Sequence, residues 1–487
     1  MGGAGLASAF PGRFHQAAMN AGNLPTLLTR RTFLGRSACS AMSTTCLLNS
    51  ILTLRHLNAQ AADVLAPGTP YKALVCVFLY GGNDANNTVV PRDGSAHAKY
   101  AGSRTVLTLP QANLLGLNTL NDDGLQLGLH PSMTGMRDLY NVGKAALLVN
   151  VGTLIAPATM ADYRNRTAAI PDNLYSHSDQ QMQWQTSAAT MNAAYTQTGW
   201  GARIAEALVA GQQRTSVSML VSLSGTNFFQ VGRTMFPFRP GPGGTPVFRL
   251  GQGSSSQDVT RYTAFRNILN AEYANLMEDA FADLSNKSII EADTINEALR
   301  GTGAFSTIPN SGLGEQLRTV AKLIQAQGAL GITRQIFFVA TGGFDTHGPQ
   351  LADHANLLNG VSTAMKGFQD ALETIGMGDK VTTFTASDFN RTGDSNGRGS
   401  DHGWGSHHLI MGGALNGQRV YGAFPDPDIN APGHPLNTGR GNWIPTTSVD
   451  QYAATMAKWF GLSNTQIREV FPNIVNFDAD LGFMKAA

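Results

Sequence analysis

The stretch Ala73-Leu74-Val75-Cys76-Val77-Phe78-Leu79-Tyr80-Gly81-Gly82-Asn83-Asp84 decides the fold class. Its first eight residues are apolar or aromatic and show no alternation. A strand buried on both faces of a parallel sheet reads this way. Two glycines and an acid then follow. Glycine lets the backbone turn sharply and approach a ligand closely, so the segment delivers Asp84 to the carboxyl end of a strand.

Similar apolar runs recur at residues 145–151, 217–223, 335–340, 381–386 and 408–411. Helical patterns alternate with them, at 132–142, 200–210, 262–284, 316–327, 356–375 and 449–460. Strand–helix alternation predicts an α/β sandwich with a mostly parallel central sheet. No repeat of fixed period occurs. Residues 241–256 are rich in Gly, Pro and Ser and read as a surface loop or insertion. Residues 257–330 are mostly helical and read as a helical insertion or cap.

Composition narrows the function. Hydrophobic residues make up 42% of the 487, enough for a large core, which excludes global disorder. Charged residues are only 14%, against a usual ~25%. The formal net charge is +1, yet residues 1–61 hold Arg13, Arg30, Arg31, Arg36 and Arg55 with no Lys, Asp or Glu. Setting these five cations aside leaves 29 basic against 33 acidic groups, a net of −4. A nucleic-acid partner is not expected, because no basic stripe is left to meet a phosphate backbone.

The cationic start reads as an address. Thr29-Arg30-Arg31-Thr32-Phe33-Leu34-Gly35 precedes a moderately apolar run, and Ala59-Gln60-Ala61 supplies an A-x-A cleavage site. This fits a twin-arginine export signal over residues 1–61, followed by one domain over 62–487. The run from Ser37 to Leu54 contains seven Ser or Thr and falls short of a membrane span, which needs ~20 apolar residues. The expected partner is the twin-arginine export machinery, the expected destination the periplasm or beyond, and no integral membrane segment is expected after processing. That route carries folded proteins, so a metal can be loaded before export. Cys39 and Cys46 leave with the signal, and Cys76 alone cannot form an internal disulfide.

Acids after strands mark a site, because open α/β sheets bind ligands beyond the carboxyl ends of their strands. Asp84 follows the first strand, Asp345 follows 335–340, and Asp388 follows 381–386. Between the last two apolar runs lies Gly399-Ser400-Asp401-His402-Gly403-Trp404-Gly405-Ser406-His407-His408. Carboxylate oxygen and imidazole nitrogen together suit Zn, Mn or Fe. His407 and His408 point to opposite faces if they begin a strand, and His407 is taken as the inward one. Gly393-Asp394-Ser395-Asn396-Gly397 matches a hydrolase nucleophile elbow in letters only, since no strand precedes it and no helix follows.

These motifs, with Leu129-His130-Pro131, Tyr175-Ser176-His177-Ser178-Asp179-Gln180, Gly199-Trp200-Gly201-Ala202-Arg203, Gly343-Phe344-Asp345-Thr346-His347 and Ser387-Asp388-Phe389-Asn390-Arg391-Thr392, occur in an order that resembles the DUF1501 family of exported bacterial proteins. The resemblance spans residues 72–475. It implies an alkaline phosphatase-like three-layer sandwich, related to sulfatases and phosphatases. It further implies two divalent ions (Zn, Mn, Mg or Ca) and an anionic phosphate or sulfate ester as substrate. Asp84, Asp401 and His402 resemble one ligand set, and Asp345, His347 and His407 the other, with His354 as a substitute. Ser176 is the candidate nucleophile, a plain helix cap being its other reading. Arg391, or else Arg203, would neutralise a substrate oxygen. Asp388 stands where the family commonly has a longer Glu and is expected behind the ligands. No Cys-x-Pro-x-Arg stretch occurs, which argues against formylglycine chemistry. The alternative function is a non-catalytic exported or surface-associated protein that keeps the fold and works through a partner.

Overall fold

The computed structural model describes residues 69–121, 124–189, 197–209, 217–240 and 255–485. The signal expected over residues 1–61 lies outside them, as does 241–254 of the expected surface loop. In chain order the strands are β1 (Lys72–Leu79), β2 (Val89–Pro91), β3 (Leu115–Gly116), β4 (Leu127–Leu129), β5 (Ala145–Gly152), β6 (Leu220–Ser222), β7 (Arg334–Thr341), β8 (Val381–Ser387), β9 (Ser406–Met411), β10 (Val420–Tyr421) and β11 (Thr447–Ser448).

The main sheet runs β10-β5-β9-β8-β1-β7-β6, with β11 also paired to β5. β1 lies between β7 and β8 and is parallel to both. Its residues alternate between two cores, which is why its sequence shows no polar face. Ala73, Val75, Val77 and Leu79 join the core that includes Met136, Leu317, Val320, Met365 and Phe368. Leu74, Cys76 and Phe78 join the core that includes Ile204, Tyr452, Met456, Phe460 and Ile467. Helices therefore pack on both faces, from Thr134–Asn141, Gly312–Gln325 and Gln350–Thr374 on one side and from Trp200–Val209, Val449–Phe460 and Asn464–Val470 on the other. Burying each large apolar side chain contributes about 1.5–3 kcal/mol.

Local signals set the helix ends. In Val449–Phe460, Ser448 and Gln451 form a reciprocal capping box, and Gly461 at φ 129° ends the helix. Every residue of that helix except Lys458 is buried, as a helix wedged between the sheet and the C-terminal segment must be. A small antiparallel sheet, β2-β4-β3, flanks the main one.

Two elements depart from the sequence reading. β9 is antiparallel to both β5 and β8. An apolar run buried on both faces looks the same in either direction, so its composition carries no sign of this. The consequence is useful: the loop 388–405 crosses the sheet edge where β1 and β7 also end. Second, residues 257–330 are not one insertion. Ser256–Leu269 and Leu276–Arg300 form a helical pair with few buried side chains, but Gly312–Gln325 belongs to the main core through Leu317, Val320, Ala321, Leu323 and Ile324. No helix among the described residues is long and apolar enough to cross a membrane.

Gly81 and Gly82 join three strand ends. Gly81 has φ 114°, and a Cβ there would lie 2.4 Å from the Asp345 backbone nitrogen. Gly82 has φ 80°, and its Cβ would lie 2.4 Å from the Phe389 ring. Any other residue would force the ends of β1, β7 and β8 apart.

Candidate metal centre

The centre is built on the loops that follow β7 and β8. Asp345 comes off β7 with its side chain half exposed. Around its Oδ1 three imidazole nitrogens gather. His347 Nε2 lies 3.0 Å away, His402 Nε2 3.5 Å and His177 Nε2 3.6 Å. The Nε2 atoms of His347 and His402 are 3.1 Å apart. Donors of a tetrahedral zinc site sit about 3.3 Å from one another at bond lengths of ~2.0–2.1 Å, so this spacing suits one ion.

Each ring is turned by an acceptor on its far nitrogen. His177 Nδ1 lies 2.6 Å from Asp388 Oδ2. His402 Nδ1 lies 2.8 Å from the Tyr175 carbonyl. His347 Nδ1 lies 3.3 Å from Asp401 Oδ1. A carbonyl only accepts, so His402 carries its proton on Nδ1 and presents a lone pair at Nε2. Asp388 favours the same tautomer for His177, whereas His347 has a carboxylate beside each nitrogen, Asp401 Oδ1 at 3.3 Å from Nδ1 and Asp345 Oδ1 at 3.0 Å from Nε2. Metal-binding histidines are held in this way, by a carboxylate or carbonyl behind the ring. His347 Nε2 meets His402 Nε2 at 3.1 Å and Arg391 Nη1 at 3.3 Å. Phe389 forms the floor, with ring centroids 4.7 Å from His177 and 4.4 Å from His402. The residues thus fit a divalent ion, with His177, Asp345 and His402 as an apposed trio and His347 beside it, its Nε2 3.3 Å from Arg391 Nη1.

The electrostatics match that use. Burial pushes the Asp345 carboxyl up, but its hydrogen bond with Arg391 and the nearby Arg391, His347 and His177 charges outweigh this and hold it below its ordinary value. Asp401 is likewise held low: burial raises it, and the hydrogen bonds from Arg440 and Asn396 prevail. Burial lowers His402, and the Arg391 and His177 charges add to that. His177 is raised, chiefly by its hydrogen bond to Asp388, so protons compete more strongly with an ion there.

Asp345, His347, Asp401, His402 and Arg391 are brought together here. Asp401 stands behind His347, with its other oxygen on Arg440. Three assignments need correction. Asp84 is fully buried, its Oδ2 accepts from Arg104 and Gln350 while its Oδ1 has no hydrogen-bond partner among the described residues, and it is not among the three apposed donors. Burial pushes its carboxyl up despite the Arg104 and Arg391 charges. His407 accepts a hydrogen bond from the Asn150 N–H at 3.0 Å and stacks on Phe424 at 4.8 Å. Its ring does not enter the cluster. Arg391 is fully buried and donates to the carbonyls of Gly82, Ser400, Gly81 and Phe344 at 2.7–3.1 Å, and to Asp345. Its guanidinium ties loops together and has no donor left to clamp a substrate oxygen.

Of the alternatives, Arg203 donates to the carbonyls of Val470, Thr198 and Thr186, and His354 bonds Asn83 Oδ1 at 2.9 Å inside the core. Ser176 is the N-cap of His177–Thr186, and its side chain makes no capping hydrogen bond. Sequence reasoning passed over His177 as a ligand. Its signal lay in the Ser176-His177-Ser178-Asp179 motif, where the hydroxyl drew the attention.

No curated protein matches the chain. Solved structures with a resemblance include crystal structures of Ps i-CgsB. Its complex with k-i-k-neocarrahexaose is 11% identical, covers 82% of this chain and 74% of its own, and superposes with a TM-score of 0.33. The structure described simply as Ps i-CgsB is 10% identical, with 81% and 74% covered and a TM-score of 0.34. Superpositions this loose carry no argument about activity. The family described as "Protein of unknown function (DUF1501)" matches residues 71–471. With nearly all of the described fold inside that match, the chain belongs to the DUF1501 family.

Proposed function

We propose that this chain is an exported, metal-dependent hydrolase of phosphate or sulfate esters on an alkaline phosphatase-like sandwich. The observation that carries the proposal is the convergence of three Nε2 atoms on Asp345 Oδ1. A single divalent ion is proposed instead of two, because Asp84 and His407 have other partners. The two imidazoles and one carboxylate of the apposed trio suit zinc, with a position left open. When bound, such an ion polarises the phosphoryl or sulfuryl oxygen and lowers the pKa of a nucleophile.

The chain's own residues supply the rest. Ser176 precedes the ligand His177 at the start of a ten-residue helix, where the helix dipole favours an anion. Ser176 Oγ would attack phosphorus or sulfur while the ester oxygen leaves with a proton, and water would then release the serine ester. Ser176 Oγ lies 3.2 Å from Ser178 Oγ and meets no imidazole or carboxylate among the described residues. That observation favours a second reading, in which the protein holds a metal without turnover and acts through a partner.

Elemental analysis of the purified protein, with a panel of phosphomonoesters, phosphodiesters and sulfate esters, tests the proposal. One ion per chain and turnover abolished in Ser176→Ala is the expected result. Stoichiometric metal without turnover on any ester moves the assignment to the second reading, and turnover unaffected in Ser176→Ala removes the nucleophile.

A further inference from the structure

We propose that Arg440 is the residue that recognises the anionic group of the substrate, at the mouth of the centre; this rests on the ester-hydrolase reading above. Arg440 Nη1 lies 2.5 Å from Asp401 Oδ2, and Nε lies 3.5 Å from Asp394 Oδ2. Nη2 has no hydrogen-bond partner among the described residues. Asp401 is in turn 3.3 Å from His347, which meets His402 of the trio at 3.1 Å, so the guanidinium stands one side chain away from an imidazole bordering the centre.

The loop that carries Arg440 is held in an unfavourable shape. Gly439, Arg440 and Gly441 have φ values of 133°, 59° and 72°. A non-glycine residue persists in the left-handed region only where its surroundings fix it, and such residues gather at functional sites. Here the surroundings are plain. Asn437 Oδ1 accepts from the N–H groups of Gly439 and Gly441, both at 2.9 Å. The Asp394 N–H donates to the Arg440 carbonyl at 2.9 Å, and the Gly393 N–H to Gly441 at 3.1 Å. A Cβ on Gly441 would lie 2.6 Å from Gly393 Cα. The loop is therefore clamped to the segment that leads into Asp401 and His402.

The ion pair itself does not explain the clamp. The Arg440 and Asp401 side chains are 47% and 38% exposed, and pairs that open to water contribute little stability. Holding an arginine left-handed costs at least as much. What the clamp does accomplish is to place a guanidinium with a spare donor beside the ligands. Arg391, the other guanidinium there, is buried and saturated. A planar fork matches the oxygens of phosphate or sulfate in pairs, which an ammonium does not. A substrate with a terminal phosphate or sulfate group is the class that fits.

The test uses the full mature chain loaded with zinc, with inorganic phosphate and sulfate as probes in titration calorimetry. Arg440→Gln is expected to keep zinc affinity within threefold and to lose at least tenfold in phosphate affinity, with Arg440→Lys intermediate. Arg440→Gly guards against a folding failure, since glycine accepts this backbone without strain; it should melt no lower than the parent and show the same loss. Phosphate affinity unchanged in Arg440→Gln and Arg440→Gly overturns the inference while leaving the metal centre intact. Joint loss of zinc and phosphate also overturns it, making Arg440 a support for Asp401 only. If the parent binds no zinc, the hydrolase reading fails by itself. Phosphate titrations of the metal-free proteins then decide: a tenfold difference between parent and Arg440→Gln upholds Arg440, and no difference or no binding rejects it.

Discussion

His177 Nδ1 and Asp388 Oδ2 are 2.6 Å apart, and this contact turns the other nitrogen of the ring toward Asp345. Asp388 is fully buried and also accepts from Gln181 Nε2 at 2.8 Å and from the Gly81 N–H at 3.2 Å. The carboxylate thus links the end of β1, the helix His177–Thr186 and a ligand ring. Asp388→Asn keeps the shape but removes the charge that makes His177 a basic ligand. Zinc affinity, measured by chelator competition, should fall about 10–100-fold. Unchanged affinity would mean that His177 is no ligand.

Asp84 and Arg104 form a buried pair, with Arg104 also donating to Asn87 Oδ1 at 3.1 Å and to the carbonyls of Thr392 and Gly393 at 2.8 and 3.2 Å. Removing one member of such a pair leaves an uncompensated charge and costs about 3–5 kcal/mol. Asp84→Asn should therefore lower unfolding free energy by that amount and leave the metal content per chain unchanged. Denaturant titration and elemental analysis on the same sample check both parts. A drop in metal content would restore Asp84 as a ligand.

Arg391→Lys separates a stitching role from a substrate role. The guanidinium reaches three loops, at Gly81-Gly82, Ser400 and Phe344, through its Nε, Nη1 and Nη2 atoms. An ammonium on a single point cannot span them, and each buried carbonyl left without a donor costs about 1–3 kcal/mol. The variant should lose at least about 3 kcal/mol of stability and release metal together with its fold. A stable Arg391→Lys protein with only a raised KM would contradict this.

The parts of this site that the sequence made legible are those set locally. Burial on both faces wrote β1 as an unbroken apolar run, and Gly81-Gly82 marked its turn. Acids directly after β7 and β8 could be read for the same reason. Long-range choices could not. His177 meets Asp388 across 211 positions, and nothing within the motif around His177 names that partner. Asp84 looked equivalent to Asp345 until the packing of Gly94–Arg104 brought Arg104 against it. The pattern over residues 262–284 reads as one helix, but Asn275 accepts from the Met277 N–H at 2.8 Å and starts a new one. Side-chain capping there interrupts a periodicity that continues across the break.

His408 provides a test of the buried core by pH. It lies on the opposite face of β9 from His407, with Trp184 and Tyr452 at ring separations of 4.7 and 6.1 Å, and its Nε2 has no hydrogen-bond partner. Burial pushes His408 and His407 down to about 3 and His130 to about 4. An unfolded histidine titrates near ~6.5. Between those values the unfolded chain binds protons that the native chain refuses, so stability is full above pH ~6.5 and is lost as pH falls. Each such group contributes a slope of about 1.4 kcal/mol per pH unit. His408→Phe keeps the aromatic packing and removes one of them. At pH 7.5 the variant should lie within about 1.5 kcal/mol of the parent, and at pH 4.5 it should have gained about 3 kcal/mol relative to the parent. Denaturant curves at pH 7.5, 5.5 and 4.5 measure this. Parallel pH dependences for the two proteins would show that His408 is protonated in the native core, and the packing around Trp184 and Tyr452 would then have to accommodate a charge.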